Sequence, residues 1–380
     1  MSSHQNSSHQ FSGATSAHLK RLLGFVESDP HNLNLLADAA DAALDAQQFA
    51  LCDELLDRHA AQQPLPPSLV NLRGLSAMSQ RRFDEAEQCF ISLQENSTEP
   101  AVVYNLAYAN AMLGRFDEAA ALLHETILAS IPAAAALKVR ALHHLRRVDE
   151  ARELAQRYVD RPDADPELRG AYATLLFDAG DEEGAKRYAA MAPETADSLT
   201  VRGLLAIADG ADAEAASMLE RALQLRPESG RAKLGIGLCL VSNERFDEAS
   251  RALDEAANLL KTHAGSWVAA GWAHLLNGAL DTAKARYERA AELDRGFAEA
   301  PGGLAVVNFR QQRFDEARRY ANVALRLDRS CLSAALALNL LAAHDGDQAT
   351  ADAILHAAVN RPIDSDGLTI AQALMRRASR

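Results

Sequence analysis

Three kinds of residue in this chain have the chemistry for catalysis or metal binding: the pair His143-His144, a recurring Asp-Glu pair, and four cysteines. Adjacent histidines on a helix point about 100° apart and cannot readily share a metal in cis. They read as solvent or groove contacts. The carboxylate pairs Asp84-Glu85, Asp117-Glu118, Asp149-Glu150, Asp247-Glu248 and Asp315-Glu316 could act as general acid and base only by converging in a pocket. They recur with the spacing of a repeat, which spreads them along an outer edge. Each opens a helix, where negative charge suits the positive end of the dipole. Cys52, Cys89, Cys239 and Cys331 lie far apart with no CxxC spacing, so neither a disulfide framework nor a zinc site is expected. Gly235-Ile236-Gly237 lacks the preceding strand of a dinucleotide fingerprint, and no GxxxxGK[ST], GxSxG or HExxH is present. The expectation is a protein with no catalytic residue, cofactor or metal.

Composition narrows the class. Of 380 residues, 48% are hydrophobic but only 5% aromatic, and alanine is in excess, which suits closely packed helices. A net charge of -13 argues against nucleic acid, because phosphate contacts need a cationic surface. Met1-Ser2-Ser3-His4 has neither the basic nor the apolar region of a secretory signal. The longest apolar stretch, Ala334–Ala343, is interrupted by Asn339 and too short to span a bilayer. A soluble, cytoplasmic protein without membrane insertion is expected. Residues 1–16 offer little to bury and should be disordered; a short helix follows and stops at Asp29-Pro30.

A period then takes over. Arg82–Ala86, Arg115–Ala119, Arg245–Ala249 and Arg313–Ala317 share the five letters RFDEA. Aligned on their second residue, ten anchors follow at intervals of 30–34: Phe49, Phe83, Phe116, Val148, Glu182, Asp212, Phe246, Leu280, Phe314 and Gln348. Three residues beyond each stands alanine in nine cases and Cys52 in the tenth. Nine residues before it stand Gly74, Gly203, Gly237 and Gly271, with alanine in four others. Small residues on both sides imply two helices crossing closely in every repeat. A turn separates them, carrying Gly114, Gly180, Gly210, Gly278 or Gly346 in five repeats.

This pattern resembles the tetratricopeptide repeat family over roughly residues 31–362, best in Ala264–Phe297 with Trp267, Ala270-Gly271, Ala283, Tyr287 and Ala290. The resemblance implies an all-α, right-handed superhelical α-solenoid of about ten helix-turn-helix repeats, whose first helices line a concave groove. The boundaries expected are a tail at 1–16, an N-terminal helix at 17–30, repeats one to five at 31–193, repeats six to ten at 194–362, and a capping helix at 363–380. A softer or bent junction is expected near 190–197, where Met191-Ala192-Pro193 ends a helix early.

The groove slots implied by the resemblance hold Tyr104, Tyr108, Arg140, His143, Phe177, Arg231, Leu234, Leu238, Trp272 and Phe309, with Thr174, Val268, Leu275 and Val306 among the others. Asn105 is similar to the groove asparagines that hold peptide backbones in some members. Tyr104, Tyr108, Phe177, Trp272 and Phe309 are the expected apolar anchors, with Arg140, His143 and Arg231 setting polarity. The Lys/Asn clamp for a C-terminal carboxylate has no counterpart in the slots, which hold Ala37/Asp41, Asn71/Leu75, Tyr104/Tyr108 and Ala136/Arg140. The function expected is a non-catalytic scaffold binding a peptide or helix of a protein partner. The alternative is a co-chaperone-like or regulatory subunit of a bacterial secretion, pilus or polysaccharide assembly system.

Overall fold

The computed structural model describes residues 17–94, 99–361 and 369; the expected tail lies outside them, as does the expected capping helix apart from Thr369, which is not helical. A helix over residues 17–28 is followed by the helix pairs that the period implies. All ten anchors are the first residue of the second helix of a pair, from Phe49–Ala60 through Phe246–Leu260 to Gln348–Val359. Two residues before each anchor the chain turns through the left-handed region. Glycine fills that place in the five expected repeats, at φ +75° to +82°, and Gln47, Arg81, Arg146, Glu244 and Gln312 fill it in the others, at φ +57° to +62°.

The described residues gather into two compact bodies, one ending at Leu175 and the other starting at Leu176. Each is a serial stack of helix pairs. In both bodies, first helices of neighbouring repeats touch one another, as Pro100–Met112 does Pro132–His144 and Glu299–Arg310 does Leu332–His344. No two second helices make comparable contacts among the described residues, so the first helices form the inner wall. The core is correspondingly a chain of local clusters. One joins Leu19, Leu22 and Val26 of the leading helix to repeat one, and another joins repeats eight to ten around Tyr287.

The residue three beyond the anchor is buried in all ten repeats. The glycine on the first helix, however, faces a different residue, the one seven beyond the anchor. A Cβ at Gly74 would stand 2.8 Å from the Phe90 ring, one at Gly203 2.7 Å from Leu219, and one at Gly271 2.8 Å from Tyr287. The close crossing therefore lets a large second-helix side chain lie flat against bare backbone.

Neighbouring repeats are also joined by charge. The anchor-preceding arginine reaches back to a carboxylate four beyond the previous anchor: Arg82 to Asp53 at 2.5 Å, and Arg115 to Glu87. Where that slot holds Ala216, Arg245 pairs instead with Glu248 of its own helix. His274, in a first-helix slot usually aromatic, donates from Nε2 to Asp254 of the preceding repeat at 2.9 Å. Asp254 also accepts from Arg286 at 2.7 and 3.0 Å. Burial alone would raise the Asp254 pKa; the hydrogen bonds from Arg286 and His274 hold it below the usual carboxylate value.

Two features depart from a regular array. The second helix of repeat three is broken into Phe116–Leu122 and Glu125–Ser130. At the break, Lys138 Nζ donates to the freed carbonyl of Leu123 at 2.8 Å. In repeat five the second helix ends at Met191, and Thr195 caps the next by accepting from Ser198 N.

Candidate functional site

The inner wall carries the expected groove residues. All eleven are half-buried: Tyr104, Asn105, Tyr108, Arg140 and His143 in the first body, and Phe177, Arg231, Leu234, Leu238, Trp272 and Phe309 in the second. Position on a first helix follows from its capping and the close crossing behind it. Pro100 and Pro132 start two of these helices at the position where a missing N–H costs nothing.

In the first body, Tyr104 and Tyr108 lie one turn apart on Pro100–Met112, and Tyr108 packs against Phe83 with centroids 6.4 Å apart. Burial raises the Tyr104 pKa, and the neighbouring Tyr108 adds to the rise while Arg140 opposes it. The Asn105 amide has no hydrogen-bond partner among the described residues, so both of its polar atoms are available to a ligand. Arg140 forms an ion pair with Glu167, at the start of Pro166–Asp178.

In the second body, Arg231 is likewise committed, to Asp178. Phe309 belongs to an aromatic cluster with Phe314 and His344, with centroids 5.6 and 6.4 Å away. Trp272 stands edge-on to the buried Tyr287 and walls a 350 Å³ hollow with Glu299, Leu332, Ser333 and Leu336. Leu332 and Leu336 are exposed at its rim. Glu299 accepts from Leu332 N at 2.9 Å, from Ser333 N at 3.4 Å, and from the Ser333 hydroxyl, so its carboxylate caps Leu332–His344.

Several expectations need correction. Val268, Leu275 and Val306 are buried, at 8%, 3% and 4% exposure, because they pack into the core of repeats eight to ten or beside it. Thr174 is also buried and donates to Gly170 O. Fewer of the slots are therefore open than the alignment implies. Conversely, Glu299 and Ser333 were missed, although both occupy the second slot of their repeats, a groove slot by the same alignment.

Among the described residues, no group of three His, Cys, Asp or Glu residues could hold a metal ion, and no helix is long and apolar enough to cross a membrane. Burial pushes the Cys52 thiol up to about 11 and the Cys331 thiol up to about 12, which leaves both inert at neutral pH.

Comparison with known proteins gives one kind of match. A family model described as tetratricopeptide repeat matches residues 206–264. A second model of the same description matches residues 71–135, 104–169 and 268–331. Together they take in more than half of the chain. No curated protein matches it.

Proposed function

The chain belongs to the tetratricopeptide repeat family, whose arrays generally serve as protein–protein interaction scaffolds, and from that premise we propose that it holds a segment of a partner protein along its first-helix wall. The segment is a peptide or a helix, and the chain catalyses no reaction on it. The reading is of a cytoplasmic scaffold, and the net charge of -13 disfavours nucleic acid as the cargo.

The observation that carries this reading is the state of the wall itself. Large apolar and aromatic side chains, among them Tyr104, Tyr108, Phe177, Trp272 and Phe309, are partly buried, and each keeps some surface open. Surface of this kind on one face marks an interaction site. The open amide of Asn105 between two tyrosines supports it, since an extended backbone offers one donor and one acceptor per residue.

The test uses the full chain as bait, identifies what it retains, and measures that partner's affinity for Tyr104→Ala, Trp272→Ala and Phe309→Ala. A true anchor should cost about 2 kcal/mol or more, roughly a thirtyfold loss. Unchanged affinity in all three, with helicity intact, contradicts the wall as the binding surface.

A further inference from the structure

The hollow walled by Trp272 gives the partner's chemistry. Three repeats carry a carboxylate in their second slot, at or next to the start of the first helix: Glu167, Asp197 and Glu299. Two of these charges are met within the chain, Glu167 by Arg140 and Asp197 by Arg226, the latter at 2.6 Å. Glu299 forms no ion pair with any described residue, and its hydrogen bonds come from neutral groups, those of Leu332 and Ser333 and the Cys331 thiol.

The reason lies in one slot. Arg140 occupies the ninth position of the first helix that precedes Glu167. The same position before Glu299 is Trp272. Where repeats four and five place a guanidinium, repeats eight and nine place an indole, and beside it is 350 Å³ of open space.

Resting on the reading of the wall as a partner-binding surface, we propose that this hollow takes an arginine side chain of the partner segment. The guanidinium would lie on the Trp272 ring and donate to Glu299, restoring from outside the pair that Arg140 and Glu167 make from within. An indole face attracts a flat cation, and a guanidinium stacks and forks in a way an ammonium cannot. A carboxylate that is half-buried beside apolar groups rewards a charge-assisted donor more than a solvated one does. Leu332 and Leu336 at the rim would cover an aliphatic residue beside that arginine. The volume is at the low end of ligand pockets, about 300–1,000 Å³, so one long side chain enters rather than a folded element.

The test selects a phage-displayed library of random 12-residue peptides on the full chain, with Glu299→Gln and Trp272→Arg as parallel targets. Trp272→Arg supplies the missing arginine from within and should keep the fold while closing the site. Expected is a consensus with arginine next to an aliphatic residue, enriched about tenfold or more on the native chain over either variant. Bound phage should be released by acetyl-arginine amide and retained in acetyl-citrulline amide, a readout that needs no variant to fold. A consensus without arginine, or equal release by the two amides, overturns this inference and leaves the wall reading standing. No enrichment on the native chain overturns this inference; unchanged affinity in all three alanine variants of the test above, with helicity intact, overturns both.

Discussion

At the scale of single residues, the array depends on a turn that only some of its sequences announce. At the turn before each of the ten anchors one residue adopts a left-handed backbone, and five of these ten are not glycine. Such a conformation costs a side-chain-bearing residue about 1–2 kcal/mol, against roughly 0.5–1 kcal/mol for the extra freedom glycine loses on folding. Gln312→Gly should therefore raise stability by about 0.5 kcal/mol, and Gly278→Ala should lower it by about 1 kcal/mol. Urea midpoints shifted in these opposite directions are the check. The five glycines were legible in the sequence because a glycine between two helical stretches has a local reason to be there. Gln47, Arg81, Arg146, Glu244 and Gln312 carry no such signal, and only their alignment with the glycines identifies them. The wall residues show the same limit. Slot position gives the direction of a side chain, but not how closely the next helix approaches, and so Val268, Leu275 and Val306 were expected open and are buried.

At the scale of helices, the starts of all ten second helices could be read from the anchors, since each follows a turn and most open with acidic residues. The break after Leu122 could not, because what stabilises it is Lys138, a tertiary partner 15 residues away in sequence. Packing between elements gives two predictions. Tyr287 is wholly buried between two glycines, and a Cβ at Gly303 would overlap its ring. Gly303→Ala should cost about 1–3 kcal/mol, as overpacking does, and Tyr287→Leu in the same chain should recover part of that loss. Thermal unfolding of the single and double variants measures both effects.

The second concerns the joint between repeats seven and eight, where Asp254 binds His274 and Arg286. The folded pKa of Asp254 is lowered, so its stabilisation is full above the unfolded value of about 3.9 and fades as pH falls toward the folded one. Asp254→Asn should cost about 1 kcal/mol at pH 7, the charge-assisted value discounted for partial exposure. The gap in melting temperature should narrow below pH 4, roughly the unfolded value. A gap independent of pH from 7 to 3 would mean that the carboxylate charge contributes nothing there.

At the scale of the whole molecule, repeats that touch only their neighbours make stability a sum of local terms and leave a first-helix wall in each body for recognition. The architecture was legible because a period of small residues leaves few alternatives to stacked helix pairs. The hollow beside Trp272 was not, because it arises from two slots in different repeats, and the meaning of Glu299 emerges only beside the Arg140–Glu167 pair. The central claim is that the wall, and not the outer surface, meets the partner. Site-resolved photocrosslinking tests it most directly, with p-benzoylphenylalanine placed in turn at Tyr104, Trp272 and Phe309 on the wall and at the exposed Glu288 on a second helix. The account predicts adducts to one partner from the three wall positions and none from Glu288. Adducts from Glu288 with none from the wall would contradict it.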